Sequence, residues 1–217
     1  MKRWLPMAIL LTSALYICEF RPEHQAFKLL FKLIPMWLIL YYAYSHMPLA
    51  KNRIHWLMLT GLFFGMLGDG LIMYEFVIGL AAFLIGHLFY TTAFLVQWRF
   101  SWLRFSSIIP IAIYSIMMGR ELVISLMAQN NAGLVVPVLF YIIVISLMGW
   151  SAIMTGNRWA VIGSFLFLIS DSILSWNLFV SPVFFADILI MTSYYSAQFI
   201  IARSAALPEK REVKVHP

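Results

Sequence analysis

Apolar runs of about 20 residues recur along the chain, each closed by a short polar or turn-forming stretch. A helix of that length crosses roughly 30 Å of hydrocarbon. The pattern predicts eight helices, over 4–20, 27–46, 54–73, 76–97, 104–127, 134–155, 159–179 and 184–203. It does not resemble the alternating short strands of an outer-membrane barrel. Turn chemistry marks the connections, as in Arg21-Pro22, Met47-Pro48, Asn130-Asn131, Gly156-Asn157 and Ser181-Pro182. Such loops leave no room for a soluble domain. Residues 1–206 are therefore expected to form a single transmembrane domain, and 207–217 a disordered polar cytoplasmic tail. Within the fifth segment, Gly119-Arg120-Glu121 predicts either a kink or an ion pair near the outer end of the span.

Polar residues inside the apolar runs are the informative exceptions. Asp69 ends the run Gly61-Leu-Phe63-Phe-Gly65-Met-Leu-Gly68-Asp69, and Asp171 sits in Gly163-Ser-Phe165-Leu-Phe-Leu-Ile-Ser170-Asp171. Each has Gly eight residues before it, Phe six before it and a small residue directly before it. Tyr90-Thr-Thr-Ala93 and Tyr194-Tyr195-Ser-Ala197 follow the two aspartates in turn. Segments 3–4 thus resemble segments 7–8, and a four-helix shift keeps direction, so the pattern predicts a parallel 4+4 repeat. A carboxylate at mid-membrane costs roughly 3 kcal/mol on insertion scales, so both aspartates are expected to face the protein interior. One such residue often only bonds a neighbouring helix; a matched pair points to function.

Gly61, Gly65 and Asp69 fall on one helical face, where small residues let helices approach closely. His87 lies mid-span, with Tyr90 and Thr91 one turn further along its face. Alone, it reads equally as a satisfied core histidine and as an acid, base or ligand. Lys32, about a turn and a half inside its span, is placed to snorkel to the interface, pair with an aspartate or bind a lipid phosphate. Tyr194, Tyr195 and Gln198 add polar groups to the last segment.

Composition narrows the class. Hydrophobic residues make up 63% of the 217 and charged ones 11%, which excludes a water-soluble fold and gives an all-α membrane protein. The net charge of +6 comes from Lys and Arg at span ends, with no basic cluster interleaved with aromatics, so nucleic acid is not an expected partner. Lys2, Arg3, Lys51, Arg53, Arg99, Arg104, Arg158 and Arg203 gather on one side, which predicts cytoplasmic termini. Lys28 and Lys32 sit at the opposite end, against this rule. The N-terminal run has no A-x-A-like cleavage site, so the first span is expected to be retained. Cys18 is the lone cysteine, and the other histidines lie near span ends or in the tail; no metal and no cofactor are expected. Ser-His-Asp and Gly-x-Ser-x-Gly patterns and glycine-rich phosphate loops are absent.

The run from Gly61 to Asp69, followed by Gly79-Leu-Ala-Ala-Phe83-Leu-Ile-Gly-His87-Leu-Phe-Tyr90-Thr-Thr-Ala93-Phe94, resembles the lysoplasmalogenase family of YhhN-like membrane proteins. Phe31-Lys32-Leu-Ile-Pro35, Met148-Gly149-Trp150, Ser170-Asp171-Ser-Ile-Leu174 and Tyr194-Tyr195-Ser-Ala197-Gln198 extend the resemblance over segments 2 to 8. It implies an eight-span hydrolase that cleaves the vinyl ether bond of lysoplasmalogen, releasing a fatty aldehyde and glycerophosphocholine or glycerophosphoethanolamine. The family's acidic positions fall on Asp69 and Asp171 and its lysine on Lys32. A lysophospholipid substrate and surrounding membrane lipids are the implied partners. The implied location is the endoplasmic reticulum membrane if the source is eukaryotic and the inner membrane if it is bacterial.

Vinyl ether hydrolysis needs a proton on carbon and stabilisation of an oxocarbenium ion, work that a pair of carboxyls also performs in glycoside hydrolysis. Asp171 is read as the acid and Asp69 as the ionised partner. Lys32, His87, Tyr90, Tyr194, Tyr195 and Gln198 are read as binding or tuning residues. Counted from the cytoplasmic end, Asp171 lies roughly 18 Å and Asp69 roughly 23 Å deep at about 1.5 Å per residue. The two-carboxylate reading therefore requires that one cavity bridge that offset. Paired membrane carboxylates also serve proton-coupled transporters, and a non-catalytic lysolipid-binding protein is the third reading.

Overall fold

The computed structural model describes residues 4–18 and 24–206, and the described residues form eight helices of 14 to 22 residues and no strand. They are α1 (Leu5–Cys18), α2 (Gln25–His46), α3 (Arg53–Leu71), α4 (Phe76–Val96), α5 (Ile108–Ala128), α6 (Val135–Thr155), α7 (Arg158–Phe179) and α8 (Ala186–Ala206). A helical turn, Trp102–Phe105, leads into α5, and a 3₁₀ turn, Ala132–Leu134, leads into α6. The expected tail 207–217 and the basic residues Lys2, Arg3 and Arg21 lie outside the described residues.

Sharp reversals follow from local chemistry. The Asn52 side chain accepts from the His55 N–H (3.2 Å) while His55 Nδ1 accepts from the Asn52 N–H (3.0 Å), a reciprocal cap that starts α3. Glu75 Oε2 accepts from the Ile78 N–H (2.6 Å) and starts α4 three residues after α3 ends at the Ile72 cap. Gly156 ends α6 at φ 71°, where a Cβ would also press to 2.7 Å from the Arg104 guanidinium.

Among the described residues, six helical stretches are long and apolar enough to cross a membrane. This is an integral membrane protein. Eight crossings were expected; α1 spans 14 described residues, and α8 is less apolar than the six for a physical reason. Its polar residues Tyr194, Tyr195 and Gln198 are buried against the other helices, so it needs no apolar surface at those positions. Gly119-Arg120-Glu121 does not interrupt α5, which continues to Ala128; the Arg120 and Glu121 side chains instead pair at 2.6 Å on its outer face.

Burial is inverted relative to a soluble protein. Trp37, Ile113, Ile116, Phe140, Ile143 and Ile169 are exposed, whereas Lys32, Asp69, His87 and Gln198 are buried. Helix α3 packs most closely on α4, and α7 on α8; α2 and α3 close against α8, while α5 lies outside on α6. The polar interior is thus built by α2, α3, α4, α6, α7 and α8.

Candidate functional site

The glycine face of α3 sets the position of Asp69. A Cβ on Gly61 would come within 2.5 Å of the Tyr90 ring, and one on Gly65 would collide with the Gln198 amide. Two glycines therefore admit the two side chains that brace the site. Tyr90 donates its hydroxyl to Gln198 Oε1 (2.7 Å), Gln198 Nε2 donates to the Tyr194 hydroxyl (3.2 Å), and Tyr194 donates to Asp69 Oδ2 (2.6 Å). On the other side, Lys32 Nζ stands 3.4 Å from Asp69 Oδ1 and donates to the Asp69 backbone carbonyl (3.1 Å). Lys32 is therefore a partner of Asp69 and does not snorkel. The Tyr195 hydroxyl donates to the Lys32 carbonyl (2.8 Å) and ties α8 to α2 beside the ammonium. Gly61→Ala should push Tyr90 off Gln198 and destabilise the fold by about 1–3 kcal/mol, the usual overpacking cost. Thermal unfolding of the purified variant in detergent checks this.

Asp171 has a separate set of donors. Tyr141 of α6 donates its hydroxyl to Asp171 Oδ2. His87 Nε2 lies 2.9 Å from the Tyr141 hydroxyl and 3.5 Å from Asp171 Oδ2. Because that hydroxyl spends its proton on the carboxyl, it accepts from His87, which assigns the Nε2–H form of the ring. His87 Nδ1 lies 3.2 Å from the Met148 sulfur, which has no proton to donate. The His87 ring also packs edge-on against Phe167, with centroids 4.6 Å apart.

The two centres meet on one cavity. A space of about 490 Å³ is lined by Lys28, Lys32, Asp69, Asp171, Asp187 and Tyr194, with Gln25, Ser170 and apolar residues completing the wall. It lies toward the end of the bundle where α2 and α8 begin and α3 finishes. The offset in depth between the aspartates is bridged, because both reach this wall. Phe83, Phe167 and Tyr194 stack edge-to-face beside it, with centroids 5.3–6.3 Å apart.

Of the residues singled out from sequence, Lys32, Asp69, Asp171 and Tyr194 line the cavity. Tyr90, His87, Tyr195 and Gln198 do not; they hold the lining residues in place through hydrogen bonds. Among the described residues no group of three His, Cys, Asp or Glu comes together to hold a metal ion. Tyr141 was missed. Its signal was present, since a tyrosine inside an apolar run needs a partner for its hydroxyl. Lys28 and Asp187 at the mouth were legible only as span-end charges.

The YhhN family model matches residues 27–205. The human protein named lysoplasmalogenase TMEM86B is 31% identical over 208 residues, covering 94% of this chain and 86% of that protein. Its mouse counterpart is 30% identical over 209 residues, covering 94% and 87%. The human lysoplasmalogenase TMEM86A is 31% identical over 180 residues, covering 72% and 67%. No solved structure gives a significant match.

Proposed function

Because this chain belongs to the YhhN family, we propose that it is a membrane hydrolase that cleaves the vinyl ether bond of lysoplasmalogen. The products are a fatty aldehyde and glycerophosphocholine or glycerophosphoethanolamine. Its relatives bear the name lysoplasmalogenase over nearly their whole length. The observation that carries the reading is chemical: on one cavity wall Asp69 stands beside the Lys32 ammonium, while Asp171 is held by Tyr141 and His87.

The roles follow from those surroundings. Asp69, beside the Lys32 ammonium, is the carboxylate. Asp171 has Tyr141 on one oxygen, which leaves the other free to carry a proton into the cavity. Asp171 delivers that proton to the vinyl carbon distant from oxygen, and the adjacent carbon becomes an oxocarbenium ion. The Asp69 carboxylate stabilises this cation across the cavity. Water attacks the oxygen-bearing carbon and returns a proton to Asp171. The hemiacetal then passes its hydroxyl proton to the departing glycerol oxygen and collapses to aldehyde and alcohol. Tyr141 and His87 act through Asp171, orienting its carboxyl. No cofactor is consumed.

Lys51, Arg53, Arg99, Arg104, Arg158 and Arg203 lie at the helix ends opposite the cavity mouth, so with cytoplasmic termini the mouth opens on the non-cytoplasmic side. The two closest helix pairs, α3–α4 and α7–α8, are also the pairs related by the four-helix shift, which supports an ancestral duplication. The two pairs differ in how their aspartates are bonded. Asp69 takes its hydroxyl from α8 and Asp171 from α6, and neither takes it from the tyrosine that follows it in its own copy.

The decisive assay supplies lysoplasmenylcholine to protein purified in detergent. Aldehyde and glycerophosphocholine should appear in equal amounts. Turnover without a membrane gradient excludes a pure transporter. Absence of aldehyde from every vinyl ether lysolipid tested overturns the proposal.

A further inference from the structure

Asp171 belongs to two cavities at once. Besides the polar one, it lines a narrow crevice between α4, α5, α6 and α7 whose walls include Met118, Leu122, Val138, Ile142, Leu168 and Phe179. Ile72, Phe83, Asp171 and Leu174 are common to both spaces and form the partition between them.

Away from the Asp171 carboxyl the crevice presents almost only hydrocarbon, although several hydroxyls stand along it. Tyr114 donates to Ser172 Oγ (2.7 Å), and Ser115 and Ser146 bond each other (2.7 Å). Ser172 donates to the Leu168 carbonyl (2.6 Å), Ser175 to the Asp171 carbonyl (2.8 Å), and Tyr141 to the Asp171 carboxyl. Every hydroxyl on the wall is spent on a protein partner. Beyond Asp171 a polar ligand would find no unspent donor, and an apolar chain would leave none unsatisfied. The polar cavity has the opposite character, with Gln25, Lys28, Lys32 and Asp187 around its space. Tyr114 and Leu178, at the α5–α7 edge of the crevice, are exposed on the apolar outside of the bundle.

We propose that this crevice holds the hydrocarbon chain of the lysolipid, which enters sideways from the bilayer between α5 and α7. The inference rests on the hydrolase reading and deepens it. A lysolipid is polar at one end and apolar at the other, and its vinyl ether lies where the two meet. Asp171 lies where the two cavities meet. The head group occupies the polar cavity, the chain occupies the crevice, and the reacting bond is placed at the carboxyl that supplies the proton. Met118, half-buried on the crevice wall, is then a determinant of chain-length preference.

The test compares lysoplasmenylcholines with chains of about eight and about sixteen carbons, whose methylenes each add binding energy when buried. Met118→Trp should lower the long-to-short ratio of kcat/KM by about tenfold or more, since the indole narrows a wall along which the longer chain buries more methylenes. Met118→Ala should not lower that ratio. A Met118→Trp variant that slows both substrates equally overturns the proposal. A second measurement needs no turnover. An alkyl-ether lysophosphocholine carrying a diazirine along its chain should label α5 or α6 near Met118 or Ile142, with labelling suppressed by excess unlabelled analogue. Labelling confined to α1, α2 or α8, or labelling that is not suppressed, overturns the crevice assignment. Suppressible labelling at Met118 with no aldehyde from any vinyl ether leaves the chain seat standing and removes the hydrolase reading.

Discussion

Asp171→Asn is expected to lower aldehyde release from lysoplasmenylcholine by about three orders of magnitude, within the ~10²–10⁴ range that a positioned proton donor contributes. The substitution is nearly isosteric. Its amide oxygen still accepts from Tyr141, so the α6–α7 contact and both cavity walls are retained. What disappears is the acidic proton, and an amide has none to give to carbon. Lysolipid affinity should therefore change by less than about threefold, because the carboxyl acts in the transition state and not in ground-state binding. Tyr141→Phe provides the graded comparison. It leaves the acid in place but removes the hydroxyl that orients it, so a loss of about tenfold is expected, the value of one hydrogen bond. Single-turnover measurement of aldehyde, alongside binding of a non-hydrolysable alkyl-ether analogue, separates chemistry from affinity. An Asp171→Asn enzyme retaining more than about a tenth of wild-type turnover would remove Asp171 from the acid role.

Helices were legible because the membrane imposes one rule on each of them. A run such as 134–155 has to be apolar along its length, and its ends are marked by residues such as Asn157 and Gly156, whose capping roles are local. Asp69, Asp171 and Lys32 were legible for the complementary reason, since a charge where charges are costly stands out from its neighbours. Which charge meets which was not legible. Lys32 and Asp69 are 37 residues apart, and only the packing of α2 against α3 and α8 brings them to 3.4 Å. Tyr141 shows the limit more sharply. A phenol inside a bundle is ordinary until a helix from elsewhere in the chain places a carboxyl on its hydroxyl. The crevice beside Asp171 has no sequence signature at all, because the residues that line it are also good core and good lipid-facing residues.

Lys32→Met is expected to be the most destabilising single change among the site residues, and the reason can be separated from catalysis by a second substitution. Both members of the pair are enclosed, with side-chain exposures of 11% for Lys32 and 3% for Asp69. Removing one partner of such a pair leaves a buried charge uncompensated, at a cost of about 3–5 kcal/mol. For a chain of this size that corresponds to a fall of about 10 °C in the thermal midpoint. Asp69→Asn alone should cost less, since the amide keeps the Tyr194 bond and Lys32 keeps the Asp69 backbone carbonyl as an acceptor. The double variant, Lys32→Met with Asp69→Asn, places no charge in the interior at this point and should recover most of the lost stability. Activity should not recover with it, because the carboxylate that steadies the oxocarbenium ion is absent from both the Asp69→Asn and the double variants. Recovery of the thermal midpoint without recovery of aldehyde release would establish that the pair has a structural and a catalytic role. A Lys32→Met protein as stable as wild type would show that the ammonium does not compensate Asp69. The assignment of Asp69 as the ionised carboxyl would then fall.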